Sequence, residues 1–230
     1  MGKLIRRGIT FQELRWPMER TEYRNISKEW PLELVVMALQ LVWSGYDLLQ
    51  KEVLTQIDCQ KANKQIEKSI THSLQLRINR VMTRDEPFDI QHEVPEFETS
   101  YSDQAHPPSY DMAFILKANE RIMLPLEAKV LSSENAVSQY VNELKLNFLT
   151  CRYAPFSSTA VMLGYLLKGR PEKVFEKVEK SVQSKLLDHS EFLDRAHKIS
   201  NHQRNIPSGK SYSPNFCCHH LVLEIKQVSS

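Results

Sequence analysis

Two apolar runs, Tyr110 to Lys117 and Ile122 to Leu131, constrain this 230-residue chain more than any other feature. The polar break Ala118-Asn119-Glu120-Arg121 between them predicts a hairpin of two strands. Charge falls where buried strands seldom carry it. Asp111 opens the first run, and Glu127 and Lys129 sit among Leu124, Leu126, Val130 and Leu131 in the second. Side chains alternate faces along a strand, so Glu127 and Lys129 share one face and Ala128 takes the other. A turn across Asn119 brings Asp111 to their level. Charges buried in such strands are costly unless paired or bound to a metal. A solvated sheet face carrying an Asp and a Glu/Lys pair is the structural alternative. Pro125 cannot donate a ladder hydrogen bond, which points to an edge or a bulge just ahead of Glu127.

Two carboxylates and an ammonium on one face suit metal-assisted phosphodiester hydrolysis. Asp111 and Glu127 would hold a hard divalent cation, and Lys129 would orient water and add positive charge beside the phosphate. In these residues the chain resembles the PD-(D/E)XK nuclease superfamily, whose signature is an Asp at the start of one strand and Glu-x-Lys inside the next. Here they are Asp111 and Glu127-Ala128-Lys129. The resemblance covers about residues 55–167. It implies an α/β, restriction-endonuclease-like αβββαβ core with a mixed central sheet flanked by helices. It also implies Mg²⁺ as cofactor, with Mn²⁺ as a substitute. Glu67, in the string Glu67-Lys68-Ser69-Ile70-Thr71, matches the helix that often adds a Glu to the metal site. Gln139 matches the Gln found near the substrate on the helix after the Glu-x-Lys strand. The segments Tyr140-Val141-Asn142-Glu143, Arg152-Tyr153 and Met162-Leu163-Gly164-Tyr165 resemble standalone nucleases of bacterial defence loci, which implies antiviral defence.

The flanking pattern supplies the other elements. Leu32 to Gln50 reads as a helix with Pro31 as its first residue. Its apolar stretch, Leu34 to Val42, is too short to span a bilayer. Thr55 to Met82 is a helix with Ile66, Ile70, Leu74 and Ile78 as its stripe. Phe88 to Glu98 alternates as a strand, and Ser100 to Pro108 is a loop. Glu134 to Thr150 is helical behind Ser132-Ser133 as caps. Ser158 to Leu167 is a buried strand. Pro171 to Leu187 is an amphipathic helix, Ser190 to Ile199 a shorter helix, Asn201 to Asn215 a mobile basic loop, and Cys217 to Lys226 a closing strand. Three parts follow: an N-terminal helical extension (1–54), a nuclease core (55–167) and C-terminal helices with a final strand packed on it (168–230).

Cys217-Cys218-His219-His220 is a poor zinc site, because neighbours on a strand face opposite ways. With six glycines there is no Walker loop or dinucleotide fingerprint, so nucleotide hydrolysis would belong to an ATPase or regulatory partner. Four scattered cysteines and no signal peptide or membrane span point to the cytoplasm. Residues 151–230 carry 12 Lys/Arg against 7 Asp/Glu and five of the eight histidines. That excess suits a polyanion, with Lys168, Arg170, Arg204 and Lys210 as backbone-holding cations. Three functions remain open: a Mg²⁺-dependent DNA endonuclease, an RNA-directed nuclease with the same site, and a non-catalytic nucleic-acid-binding or complex-assembly module. A homo-oligomer is compatible with each.

Overall fold

A computed structural model describes residues 30, 32–52, 62–96 and 108–225. Residues 1–29, the loop expected before Pro108 and the first turns expected from Thr55 lie outside the described residues. The elements are α1 (Leu32–Glu52), α2 (Asn63–Val81), β1 (Phe88–Pro95), β2 (Ser109–Leu116), β3 (Met123–Leu131), α3 (Ser138–Glu143), β4 (Thr159–Leu166), α4 (Pro171–Val182), β5 (Leu187–Asp188), β6 (His197–Gln203) and β7 (Asn215–Glu224). The strands form one seven-stranded mixed sheet in the order β1-β2-β3-β4-β7-β6-β5. β3, β4 and β7 are parallel neighbours, and the other pairings are antiparallel.

Period-two alternation sends each strand's apolar residues into two cores. Leu124, Leu126, Ala128 and Val130 of β3 pack with α1 and α2 on one face. Met123 and Leu131 pack with Tyr140, Leu144 and α4 on the other. The α2 stripe is buried as its spacing predicts, with Ile66 2 % exposed and Ile70, Leu74 and Ile78 fully covered. Gly45 lets α1 close onto α2, since a Cβ there would lie 2.6 Å from Ile78 Cγ1 and 3.0 Å from its backbone nitrogen. By length and composition α1 is long and apolar enough to cross a membrane, contrary to the sequence expectation. In the fold it buries Val35, Ala38, Leu39, Val42, Trp43, Tyr46 and Leu49 in the first core. Tyr46 Oη donates to Glu224 O at 2.6 Å, and Asp47 pairs through both oxygens with Arg195 at 2.8 Å, tying α1 to the end of the chain.

Several boundaries differ from expectation. Pro125 lies in the sheet interior, not at an edge. Leu116 N bonds Ile122 O, so even-numbered residues of β3 turn their backbone groups to β2. The nitrogen of Pro125 therefore points to the β4 side, ahead of the first partner pair Leu126–Val161, where no ladder donor is needed. The helix expected from Glu134 starts only at Ser138, without a side-chain cap, and continues as a π-helical turn over Leu144–Phe148. Ser190 to Ile199 is not a helix but a 3₁₀ turn, Ser190–Phe192, followed by β6, whose end overlaps the expected basic loop.

β7 separates the two histidines as strand alternation requires. His219 faces His197 at 3.2 Å, and His197 Nδ1 accepts from Trp43 Nε1 at 3.5 Å. His220 lies on the other face. Tyr140 Oη donates to Met162 O, so His220 Nδ1 donates to Tyr140 and its Nε2 accepts from Ser200 Oγ at 2.7 Å. Burial, with the neighbouring imidazoles, lowers His197 to about 2 and His219 and His220 to about 3. A depressed histidine stabilises the fold above its unfolded pKa, and that stability is lost as pH falls below about 6.5. Each of the three then removes about 1.4 kcal/mol of stability per pH unit. Urea midpoints should fall steeply between pH 7 and pH 5; a flat profile would mean these imidazoles are not held neutral.

Candidate carboxylate site at the parting of two strands

The β2–β3 ladder runs from Ile115–Met123 to Met112–Leu126 and stops there. The next residue of β2 is Asp111. Among the described residues it has no ladder partner on the β1 side either, because Glu93, between paired His92 and Val94, adopts a left-handed φ of 52°. Where β2 leaves, the even-numbered N–H groups of β3 lose their backbone acceptors. Ala128 N donates instead to Asp111 Oδ2 at 2.8 Å, and Val130 N to Glu67 Oε2 at 3.2 Å. Two side-chain carboxylates thus complete the edge that the departing strand opened.

Glu67 reaches this edge from α2, whose rotation is set by its buried stripe and by Thr71 Oγ1 against Tyr165 Oη at 2.9 Å, one turn further on. Glu127 and Lys129 project from β3 on the α3 side. Lys129 Nζ bonds Glu127 Oε1 at 2.7 Å and Ala128 O at 2.8 Å. It also stands 3.8 Å from Glu67 Oε1, 4.0 Å from Asp111 Oδ2 and 3.9 Å from Glu143 Oε2. Four carboxylates surround one ammonium.

Glu143, at the last position of α3, was not recognised as a site residue from the sequence. Its Oε1 accepts from Asn147 Nδ2 on the π turn. Spacing of i, i+4 on a polar helix border was the available signal. The wall beside it is Tyr153, whose N–H donates to Asn147 O at 2.9 Å and whose hydroxyl donates to Ser109 O at 3.2 Å. Burial first, then the carboxylates of Glu127 and Glu143, push its phenol up.

The electrostatics are unbalanced. Desolvation raises Glu127 well above the usual carboxylate range, and Asp111 adds to the shift faster than Lys129 relieves it. Desolvation also raises Glu67. Burial opposes the Lys129 ammonium, but Glu127, Asp111 and Glu67 outweigh it and raise its pKa. Glu127 is 4 % exposed, and its Oε2 is a buried oxygen with no hydrogen-bond partner. Among the described residues, no three Asp, Glu, His or Cys side chains stand close enough as they are to hold a metal ion. Lys129 Nζ stands between the carboxylates.

The other expected site residues fall elsewhere. Gln139 is exposed on α3, while its neighbour Tyr140 is buried. Lys168 and Arg170 are exposed just past the end of β4, four and six residues beyond Gly164, the ladder partner of Lys129. Lys210 is exposed in the loop before β7. Arg204 is a correction. It is only 6 % exposed, and its guanidinium donates to Ala154 O at 2.7 Å, Pro155 O at 3.4 Å and Ser213 O at 3.0 Å. A buried guanidinium without a carboxylate nearby is satisfied by carbonyls, and it cannot hold a nucleic-acid backbone from there. No family model, no curated protein and no solved structure matches this chain.

A carboxylate raised in the folded state stabilises the fold below its unfolded pKa, and loses that contribution as pH rises through the folded value. Glu127→Gln removes this loss, so the stability of the variant relative to wild type should grow from pH 5 to pH 8. Urea denaturation of both proteins across that range reads the difference. Lys129 titrates above the window and the histidines cancel between the two. A difference that stays flat would show that Glu127 is not a desolvated carboxylate.

Proposed function

We propose that this protein is a divalent-cation-dependent nuclease that hydrolyses phosphodiester bonds in DNA, of the PD-(D/E)XK kind. The observation that carries the reading is the partnerless, buried Oε2 of Glu127 among three further carboxylates and a single ammonium. Such a set carries excess negative charge in oxygen donors only, which fits a hard divalent cation. The order α2-β1-β2-β3-α3-β4, with Asp111 opening β2 and Glu127 and Lys129 inside β3, supports a restriction-endonuclease-like core.

Asp111, Glu127 and Glu67 would hold the cation. A bound Mg²⁺, or Mn²⁺ in its place, supplies Lewis-acid stabilisation of the scissile phosphate and a water of lowered pKa. Lys129 Nζ carries three donors and stays protonated in this setting. It orients the attacking water and offsets the negative charge that grows on the phosphoryl oxygens. Glu143, fixed by Asn147, gives Lys129 a second carboxylate on the same face of the sheet. It would help to keep the ammonium in the site with Glu127 engaged by a cation. Tyr153 closes one wall and limits water around the reacting groups.

Supercoiled plasmid incubated with Mg²⁺ or Mn²⁺ should be nicked by the wild type and left intact in EDTA. Asp111→Asn and Lys129→Ala should each lose about a hundredfold or more of that rate at a temperature where circular dichroism shows each variant folded, although loss of the single ammonium lowers the melting temperature of Lys129→Ala. A wild type that neither nicks nor binds a divalent cation by calorimetry would sink the proposal.

A further inference from the structure

A divalent cation and the Lys129 ammonium need the same oxygens. Lys129 Nζ bonds Glu127 Oε1 at 2.7 Å and stands within 4.0 Å of Glu67, Asp111 and Glu143. It holds the point on which the four carboxylates converge, while Glu127 Oε2 stays buried without a partner. Among the described residues, no three Asp, Glu, His or Cys side chains are close enough as they stand to bind an ion. The donors suit a cation, and the ammonium stands where they meet.

The main chain is fixed on both sides of this lysine. Ala128 N is held by Asp111 Oδ2 and Val130 N by Glu67 Oε2, and Lys129 itself pairs with Gly164 of β4. Only its flexible four-carbon stem can swing. An ammonium and a dication in neighbouring positions repel each other, so a cation that engages Glu127 drives Nζ off it. Glu143 is the destination. Its Oε2 lies 3.9 Å from Nζ, too far for a hydrogen bond, and its Oε1 is fixed by Asn147. The Glu143 side chain is 20 % exposed against 6 % for Glu127, so the exchange carries the ammonium towards solvent, from which a substrate phosphate arrives.

We propose that Lys129 is the resting occupant of the cation site: a divalent cation enters by displacing its ammonium from Glu127, and Glu143 is the positioning residue that receives it. The inference rests on the nuclease reading and adds a control on it. In the resting state the carboxylates keep a counter-ion of their own, which weakens metal loading. A substrate phosphate is a further partner for the three N–H donors of Lys129 and draws them off the same oxygens. Nucleic acid and cation therefore tighten each other's binding, by equal factors.

Crystals of the wild type grown with Mn²⁺, with the ion located by anomalous scattering, test the exchange. Mn²⁺ should bind among Asp111, Glu127 and Glu67, with Nζ released from Glu127 and hydrogen-bonded to Glu143. Calorimetry reads the same competition in solution, at a temperature where circular dichroism shows each variant folded. Lys129→Met, which keeps the stem and drops the charge, should bind Mn²⁺ about tenfold more tightly or better. Glu143→Gln should weaken binding in the wild type and change little in the Lys129→Met background. Mn²⁺ bound with the Lys129–Glu127 bond intact, or no tightening in Lys129→Met, overturns the exchange while the nuclease reading stands. An equal loss from Glu143→Gln in both backgrounds overturns the role of Glu143. A wild type that binds no Mn²⁺ at these carboxylates overturns both the exchange and the nuclease reading.

Discussion

The structure depends on one unmade pair of backbone hydrogen bonds. β2 and β3 run together as far as Met112 and Leu126 and then part, which leaves the N–H groups of Ala128 and Val130 facing a gap. Buried donors of that kind must find acceptors. Asp111 from the departing strand and Glu67 from α2 supply them. The two carboxylates are thus held by the needs of the sheet, independently of any ligand. Their position explains why charge is tolerated in the middle of an apolar hairpin.

Once those two acids are in place, Glu127 and Glu143 add a negative charge that Lys129 alone cannot balance. Removing each ion from water costs several kcal/mol, and the upward shifts of Glu127 and Glu67 record that cost. Two cores, one on each sheet face, keep the arrangement in place. α2 is locked by four covered isoleucine and leucine side chains and by the Thr71–Tyr165 bond. On the other side the left-handed residues of the Cys151–Ala154 turn, at about 1–3 kcal/mol each, are held by the Arg204 clamp. Strain and desolvation meet at one place.

Much of this was legible beforehand because it depends on local spacing. The α2 stripe, the hairpin about Asn119, the shared face of Glu127 and Lys129 and the opposed faces of His219 and His220 all follow from periods of 3.6 and 2. What failed depended on distant partners. His197 to Gln203 reads as a helix end and a loop, yet it is drawn into a strand because β7 offers it a full ladder. Arg204 reads as a surface cation, since nothing near it in sequence announces the carbonyls of Ala154, Pro155 and Ser213. Pro125 reads as an edge marker, although only the side to which its nitrogen points decides that.

By itself the sequence determined an α/β chain, with its helices and most of its strands, and the placement of Asp111, Glu127 and Lys129 on one hairpin. Those properties come from the alternation and periodicity of neighbouring residues. Tertiary structure alone decided that the hairpin takes the second and third places in a sheet of seven strands, that its strands part at Asp111, and that Glu67 and Glu143 reach Lys129 from opposite faces. It also turned Arg204 inward. Each of these depends on residues far apart in the chain competing for the same backbone groups and the same few ångströms of buried space.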